Sequence, residues 1–164
     1  MADEGHVKLL GAVVSPFAVL ARMALKMKGV SYEYIGEDMG NKSELLVKSN
    51  PVHQKVPMLI HDGKPICESL AIVEFVDELW DTAGRSILPT EPYHRVVARF
   101  WAAYTDDKLF PAYFGIHRAA TEEERAEKTN ETIGVIRQLE VALAECSNGK
   151  PFFAGNSVGY LYDR

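Results

Sequence analysis

Val56-Pro57-Met58-Leu59-Ile60-His61-Asp62-Gly63-Lys64-Pro65-Ile66-Cys67-Glu68-Ser69 holds two short apolar runs around one turn dipeptide. Asp-Gly between such runs is a strong hairpin signal. The stretch predicts two strands, Pro57 to Ile60 and Pro65 to Cys67, after which Ser69 opens a helical pattern with apolar residues at Ile72, Val73, Val76 and Trp80. Working back toward the start, Val7 to Leu10 reads as a buried strand ending at Gly11. From Ser15, apolar residues at Phe17, Leu20, Ala24 and Met27 recur at helical spacing until Lys28-Gly29 closes the helix. Tyr32 to Ile35 is a further short strand, and Ser43 to Ser49 a brief helix ended by Asn50-Pro51.

The order is therefore β-α-β, a short helix, then β-β-α, which is how the mixed sheet of a thioredoxin-like α/β domain is written. It occupies residues 1–81. Residues 82–92, with Gly84, Pro89 and Pro92, read as a linker. Beyond it the strands stop, so residues 93–164 are expected to be an all-α C-terminal domain. Tyr93 to about Ala119 is one long helical pattern, and Thr121-Glu122-Glu123-Glu124 is a capped helix start. The apolar face of that last helix is expected at Ile133, Ile136, Leu139, Leu143 and Cys146.

Composition narrows the function classes. With 164 residues, 47% hydrophobic and 25% charged, the chain is of ordinary globular make-up and long enough for a core without staples. A net charge of −5 argues against nucleic acid. No apolar run approaches the roughly 18 residues of a membrane span, and the polar start Met1 to His6 lacks a secretory pattern, so a cytoplasmic location is expected. Cys67 and Cys146 lie in neither a CxxC nor a metal-ligand spacing, and the five histidines form no HxH or HxxxH pair. Both thiols are expected to be free, with no metal bound.

Three short motifs carry chemistry. Ser15-Pro16-Phe17 sits where the first strand meets the first helix. Free N–H groups and the helix dipole favour an anion there, so Ser15 is either an N-cap alone or a hydroxyl that donates to a bound thiolate. Val56-Pro57 is open to a cis bond, although a plain trans strand start is the commoner reading. Glu68-Ser69 opens a helix: Ser69 can meet a carboxylate and Glu68 an ammonium group, or the two are a cap and a surface acid. Lys42 and Lys55 are candidate partners for a second carboxylate.

Together with Lys42-Ser43-Glu44-Leu45-Leu46, Ser49-Asn50-Pro51-Val52-His53, Lys55-Val56-Pro57, Cys67-Glu68-Ser69, Phe100-Trp101, Asp106-Asp107-Lys108 and Phe152-Phe153-Ala154-Gly155, these motifs make the chain resemble the cytosolic glutathione transferases, specifically the plant tau class. The resemblance runs over roughly residues 6 to 161. It implies that Ser15 is the catalytic hydroxyl on the glutathione sulfur. It also implies that Lys42 and Lys55 hold the glycyl carboxylate, Val56 the cysteinyl backbone, and Glu68 with Ser69 the γ-glutamyl head. Hydrophobic electrophiles would lie in a cleft against the second domain, lined by Phe17, Asp107, Phe110 and Phe114, unless those aromatics are ordinary helix-helix core. Glutathione would be a co-substrate, with no resident cofactor, and the protein a homodimer in detoxification or stress response.

A free thiol near pKa ~8.5 is only about 3% ionised at pH 7, and a two-unit drop makes roughly three-quarters of it thiolate. Ser rather than Cys at position 15 favours conjugation over disulfide exchange, and a third reading, a thioredoxin-type or glutaredoxin-type reductase, is disfavoured because no Cys occurs between Gly11 and Leu20. The chain departs from the family twice. The Arg usual near the third position after Ser-Pro-Phe is replaced by Ala18-Val19-Leu20, with Arg22 a possible substitute. Gly159-Tyr160-Leu161 is followed by Tyr162 and Asp163, where the family places Asp one residue earlier and continues with more helices. The expectation is an incomplete second domain, which leaves a catalytically weak or inactive ligand-binding protein or dimer partner as the alternative function.

Overall fold

The structure, a computed structural model, describes residues 6–81, 86–153, 156 and 158–160. Several parts of the sequence reading lie outside the described residues: Met1 to Gly5, 82–85 of the expected linker, Ala154-Gly155 and Leu161 to Arg164. The chain divides into two compact units between Ile87 and Leu88.

The first unit is built on four strands: β1 (Val7–Gly11), β2 (Glu33–Gly36), β3 (Met58–His61) and β4 (Lys64–Cys67). Their order in the sheet is β2-β1-β3-β4, with β1 and β2 parallel and the other pairs antiparallel. The parallel pair requires a crossover, and α1 (Pro16–Met27) supplies it. Ser15 caps that helix through a 3.3 Å bond from the Ala18 N–H, and Pro16 takes the first position, where no N–H is needed. The far end stops at Gly29 (φ +68), with Val30 N–H on the Leu25 carbonyl and Gly29 N–H on that of Lys26. The hairpin turns on Asp62 (φ 50) and Gly63 (φ 75), both left-handed, matching the two-residue loop expected of Asp-Gly. Pro65 is tolerated because β4 is an edge strand.

Side chains alternate across the sheet, so each face acquires its own cover. Leu10, Met58 and, from α2 (Glu44–Ser49), Leu46 form one buried cluster, edged by Ile35, Val56, Ile60 and Cys67. The other face carries α1 and α3 (Ser69–Leu79), which pack against each other and against the sheet. Leu20, Ala21, Ala24, Ile72, Val73 and Val76 are fully enclosed there. Leu20 is thus a core residue, and Arg22 projects over the Tyr34 ring, 5.3 Å from its centroid.

The second unit is helical: α4 (Pro92–Tyr104), α5 (Phe110–Arg118) and α6 (Glu122–Ser147). The stretch expected as one uniform helix from Tyr93 to Ala119 is interrupted by a wider π-helical turn, Thr105–Leu109. Pro111 gives the reason: its ring clashes with the carbonyl four residues earlier, and the preceding turn opens so that Phe110 N–H reaches Thr105 instead. In α6 the buried positions are Thr132, Val135, Ala142 and Ser147; Leu139, Leu143 and Cys146 are half-buried, while Ile133 and Ile136 are over two-fifths exposed. The expected apolar face therefore holds at Leu139, Leu143 and Cys146 and fails at Ile133 and Ile136, where the neighbouring Thr132 and Val135 are enclosed instead. A side chain at Gly115 of α5 would collide with the Lys128 stem at 2.8 Å. The start of α6 is as read, with Glu124 N–H on the Thr121 hydroxyl (3.1 Å). Among the described residues no helix is long and apolar enough to cross a membrane.

Candidate functional site

Strand register brings the motifs of the first unit together. Leu10 pairs with Met58, which pairs with Cys67, while Gly11 pairs with Gly36. Ser15 follows Gly11, Val56 precedes Met58, Glu68 follows Cys67, and Lys42 follows the end of β2. All four connections leave from one end of the sheet, although the sequence scatters them over more than fifty positions.

At that end, Ser15 is half-buried and its backbone N–H closes a turn on the Ala12 carbonyl at 3.0 Å. Its oxygen already accepts from Ala18, so the hydroxyl proton is left to donate outward. That geometry joins the two readings of Ser15: the cap orients the hydroxyl that a thiolate would use. Val56-Pro57 is a cis peptide. Glu68 stands at φ 73 and ψ 125, a conformation costly for any residue but glycine, and its side chain makes no capping bond. Strain of this kind is kept where surrounding structure enforces it, often at ligand sites. Its carboxylate is exposed, 3.9 Å from His53 Nε2. Ser69, by contrast, is only 6% exposed, and among the described residues its hydroxyl makes no hydrogen bond. A hydroxyl left open at a helix N-terminus is one that a bound carboxylate would satisfy.

Lys42 is half-buried and Lys55 exposed, and among the described residues neither forms an ion pair. Two residues that the sequence reading missed hold them in place. Glu37, nearly buried, accepts the Ser43 hydroxyl at 2.6 Å and the Ser43 N–H at 3.1 Å, while its own N–H bonds Gly11. It ties the start of α2, beside Lys42, to the end of β1. Asn50, 4% exposed, accepts from His53 N–H (3.2 Å) and donates to the Lys55 carbonyl (3.1 Å), fixing the loop that leads into Val56. Asn50-Pro51 signalled only a helix stop, and nothing in local spacing marks Glu37.

Cys67 lies beside this site. Burial and the adjacent Glu68 charge push its thiol up, so it stays protonated near neutrality and is a poor nucleophile. Cys146, in the second unit, is pushed up by burial and Glu145 against a weaker opposing hydrogen bond with Trp101. Both thiols are free.

Of the residues expected to meet an electrophile, Phe17 lies in the first turn of α1. Asp107 is exposed in the π-helical turn, and Phe110 and Phe114 stack at 6.0 Å on α5, with the Arg118 guanidinium 6.0 Å from the Phe114 ring centroid. Among the described residues no group of three or more His, Cys, Asp or Glu side chains could hold a metal ion.

Comparison with known proteins gives the family. Residues 5–78 match the glutathione S-transferase, N-terminal domain family. The chain is 49% identical over 165 residues to probable glutathione S-transferase GSTU6 of Oryza sativa subsp. japonica, covering 98% of this chain and 70% of that protein. It is 51% identical over 158 residues to glutathione S-transferase U17 of Arabidopsis thaliana, covering 96% of this chain and 70% of that one. Among solved structures, the tau class glutathione S-transferase of mango, Mangifera indica, superposes with a TM-score of 0.90 at 49% identity, over 96% of this chain and 71% of that chain. Rice GST1 in complex with glutathione does so with a TM-score of 0.88 at 36% identity, over 99% of this chain and 72% of that chain.

Proposed function

Because the chain belongs to the tau class of the glutathione S-transferases, we propose that it conjugates the glutathione thiolate to hydrophobic electrophiles, with Ser15 as the hydroxyl that holds the sulfur. The observation that carries the reading is the convergence at one end of the sheet of Ser15, its proton free to donate, with Ser69, whose hydroxyl is unbonded among the described residues. Glutathione is a co-substrate here, and no resident cofactor is invoked.

Each end of the tripeptide finds a matching group. Ser69 and the first N–H groups of α3 take the γ-glutamyl carboxylate, and the exposed Glu68 takes its ammonium. Lys42 and Lys55 take the glycyl carboxylate, and Val56 pairs with the cysteinyl backbone. The thiol then points to Ser15. Its proton leaves to solvent, the thiolate attacks the electrophilic carbon, a C–S bond forms, and the leaving group departs with the electron pair of the bond it breaks. Phe17, Asp107, Phe110 and Phe114 are the residues offered to the apolar co-substrate.

The test is conjugation of glutathione to an aromatic halide by the 164-residue chain. Ser69→Ala or Glu68→Ala is expected to raise KM for glutathione about tenfold, as befits loss of one hydrogen bond to a charged group, ~1.5 kcal/mol, with kcat less affected. A loss confined to kcat in both variants would remove these residues from the binding role. The protein is further proposed to act as a homodimer in the cytoplasm. Sedimentation is expected to give twice the 18.3 kDa of one chain, and a monomer at micromolar concentration would overturn the dimer.

A further inference from the structure

We propose that Tyr34 is a positioning residue for Ser15: its phenol stands over Gly11, beside the first turn of α1, at the start of the segment that aims the catalytic hydroxyl. The inference rests on the role given to Ser15 above.

Tyr34 pairs with Leu9 in the parallel ladder, so its ring lies on the same face of the sheet as Leu9 and Gly11, under α1. A Cβ built on Gly11 would stand 3.0 Å from the phenol oxygen, 3.2 Å from the neighbouring ring carbon and 3.0 Å from the Ala18 methyl. The last residue of β1, the tip of Tyr34 and the first turn of α1 therefore meet at one point. That point bounds the segment 11–18 at both ends, and within it Ser15 is fixed by two bonds: its N–H to Ala12 and its Oγ from Ala18. Any shift of Gly11 or Ala18 moves the hydroxyl directly. From outside, the Arg22 guanidinium sits over the ring and keeps it seated.

The phenol oxygen is buried, and among the described residues it has no hydrogen-bond partner. An unmet buried hydroxyl costs roughly 1–3 kcal/mol, so stability alone would favour Phe at this position. The oxygen instead stands 3.0 Å from the Cβ position that Gly11 leaves vacant, space that a phenyl ring would leave open. Functional groups must be held to within about 0.5 Å of productive geometry, a tolerance comparable to the shifts involved here.

The test reads the bound thiol rather than fold alone. The ultraviolet thiolate absorbance of glutathione bound to the protein is titrated with pH, alongside the pH profile of kcat/KM, for wild type, Ser15→Ala, Tyr34→Phe, Gly11→Ala and the Gly11→Ala/Tyr34→Phe double variant. Gly11→Ala is expected to raise the titration midpoint by about half a unit or more, near threefold in thiolate at the acid end. Tyr34→Phe alone should shift it less, in the same direction, without loss of thermal stability. In the double variant, removal of the oxygen relieves one of the two 3.0 Å approaches to the new methyl while the Ala18 methyl keeps the other, so the midpoint should return part of the way toward wild type. Midpoints equal to wild type in all three variants, with Ser15→Ala displaced, would overturn the positioning role and leave Ser15 standing. Equal midpoints in wild type and Ser15→Ala would overturn both. If Gly11→Ala does not fold, an unshifted Tyr34→Phe midpoint overturns the proposal by itself.

Discussion

Lys28→Met is expected to destabilise the protein by about 3–5 kcal/mol, much of the 5–15 kcal/mol that holds a typical domain folded. Lys28 Nζ lies 2.7 Å from Asp77 Oδ1, and the two side chains are only 1% and 4% exposed. The pair joins the end of α1 to α3. The same carboxylate accepts the Ile87 N–H at 2.7 Å and the Ser86 hydroxyl at 3.2 Å, so it also anchors the chain as it leaves the first unit. Removing the lysine strands a carboxylate in a site it cannot rehydrate, which is what makes breaking a buried pair costly. Replacing both partners by apolar residues should recover only part of the loss, because the Ile87 N–H then loses its acceptor. Urea unfolding measures the effect as a lower midpoint at unchanged slope. A loss below about 1 kcal/mol would give this pair the worth of a surface salt bridge and refute its structural role.

Ser15→Ala is expected to lower kcat/KM at pH 7 by roughly 10- to 100-fold, the effect of losing a hydrogen bond to a charged sulfur worth about 1.5–3 kcal/mol. The sign of the pH dependence follows from the chemistry. The hydroxyl stabilises the thiolate and so lowers the pKa of the bound thiol; its removal raises that pKa. The deficit should be greatest near neutrality and should shrink as the pH rises past the pKa of the variant's thiol. KM for glutathione should change little, since Glu68, Ser69 and the lysines are untouched. Loss of the cap on the Ala18 N–H costs a further ~1 kcal/mol of stability, too little to unfold the protein. Ser15→Thr retains a hydroxyl and should keep much of the rate. An unchanged kcat/KM with an unchanged pH midpoint in Ser15→Ala would show that another group holds the sulfur.

Much of this protein was legible in the chain as written. Asp62-Gly63 determines a hairpin because a two-residue turn with both φ positive admits few other pairs. Ser15-Pro16 and Lys28-Gly29 mark the ends of α1 because unpaired N–H and C=O groups at helix ends demand particular neighbours. The site motifs were readable for the same reason: each lies at the junction of a strand and a helix, where local chemistry is strongest. What local chemistry does not contain is how distant segments meet. The wider turn before Pro111, and the enclosure of Thr132 and Val135 rather than Ile133 and Ile136 in α6, were set by steric demands between residues and helices, not by hydrophobic period alone. Glu37, Asn50, the Lys28–Asp77 pair and the Tyr34 wedge show no periodicity, since each acts on a partner delivered by the sheet order β2-β1-β3-β4. The sequence by itself determined most of the elements and offered the candidate site residues. Only the tertiary structure decided which buried polar groups meet, because desolvation makes pairing compulsory for any polar group the fold encloses.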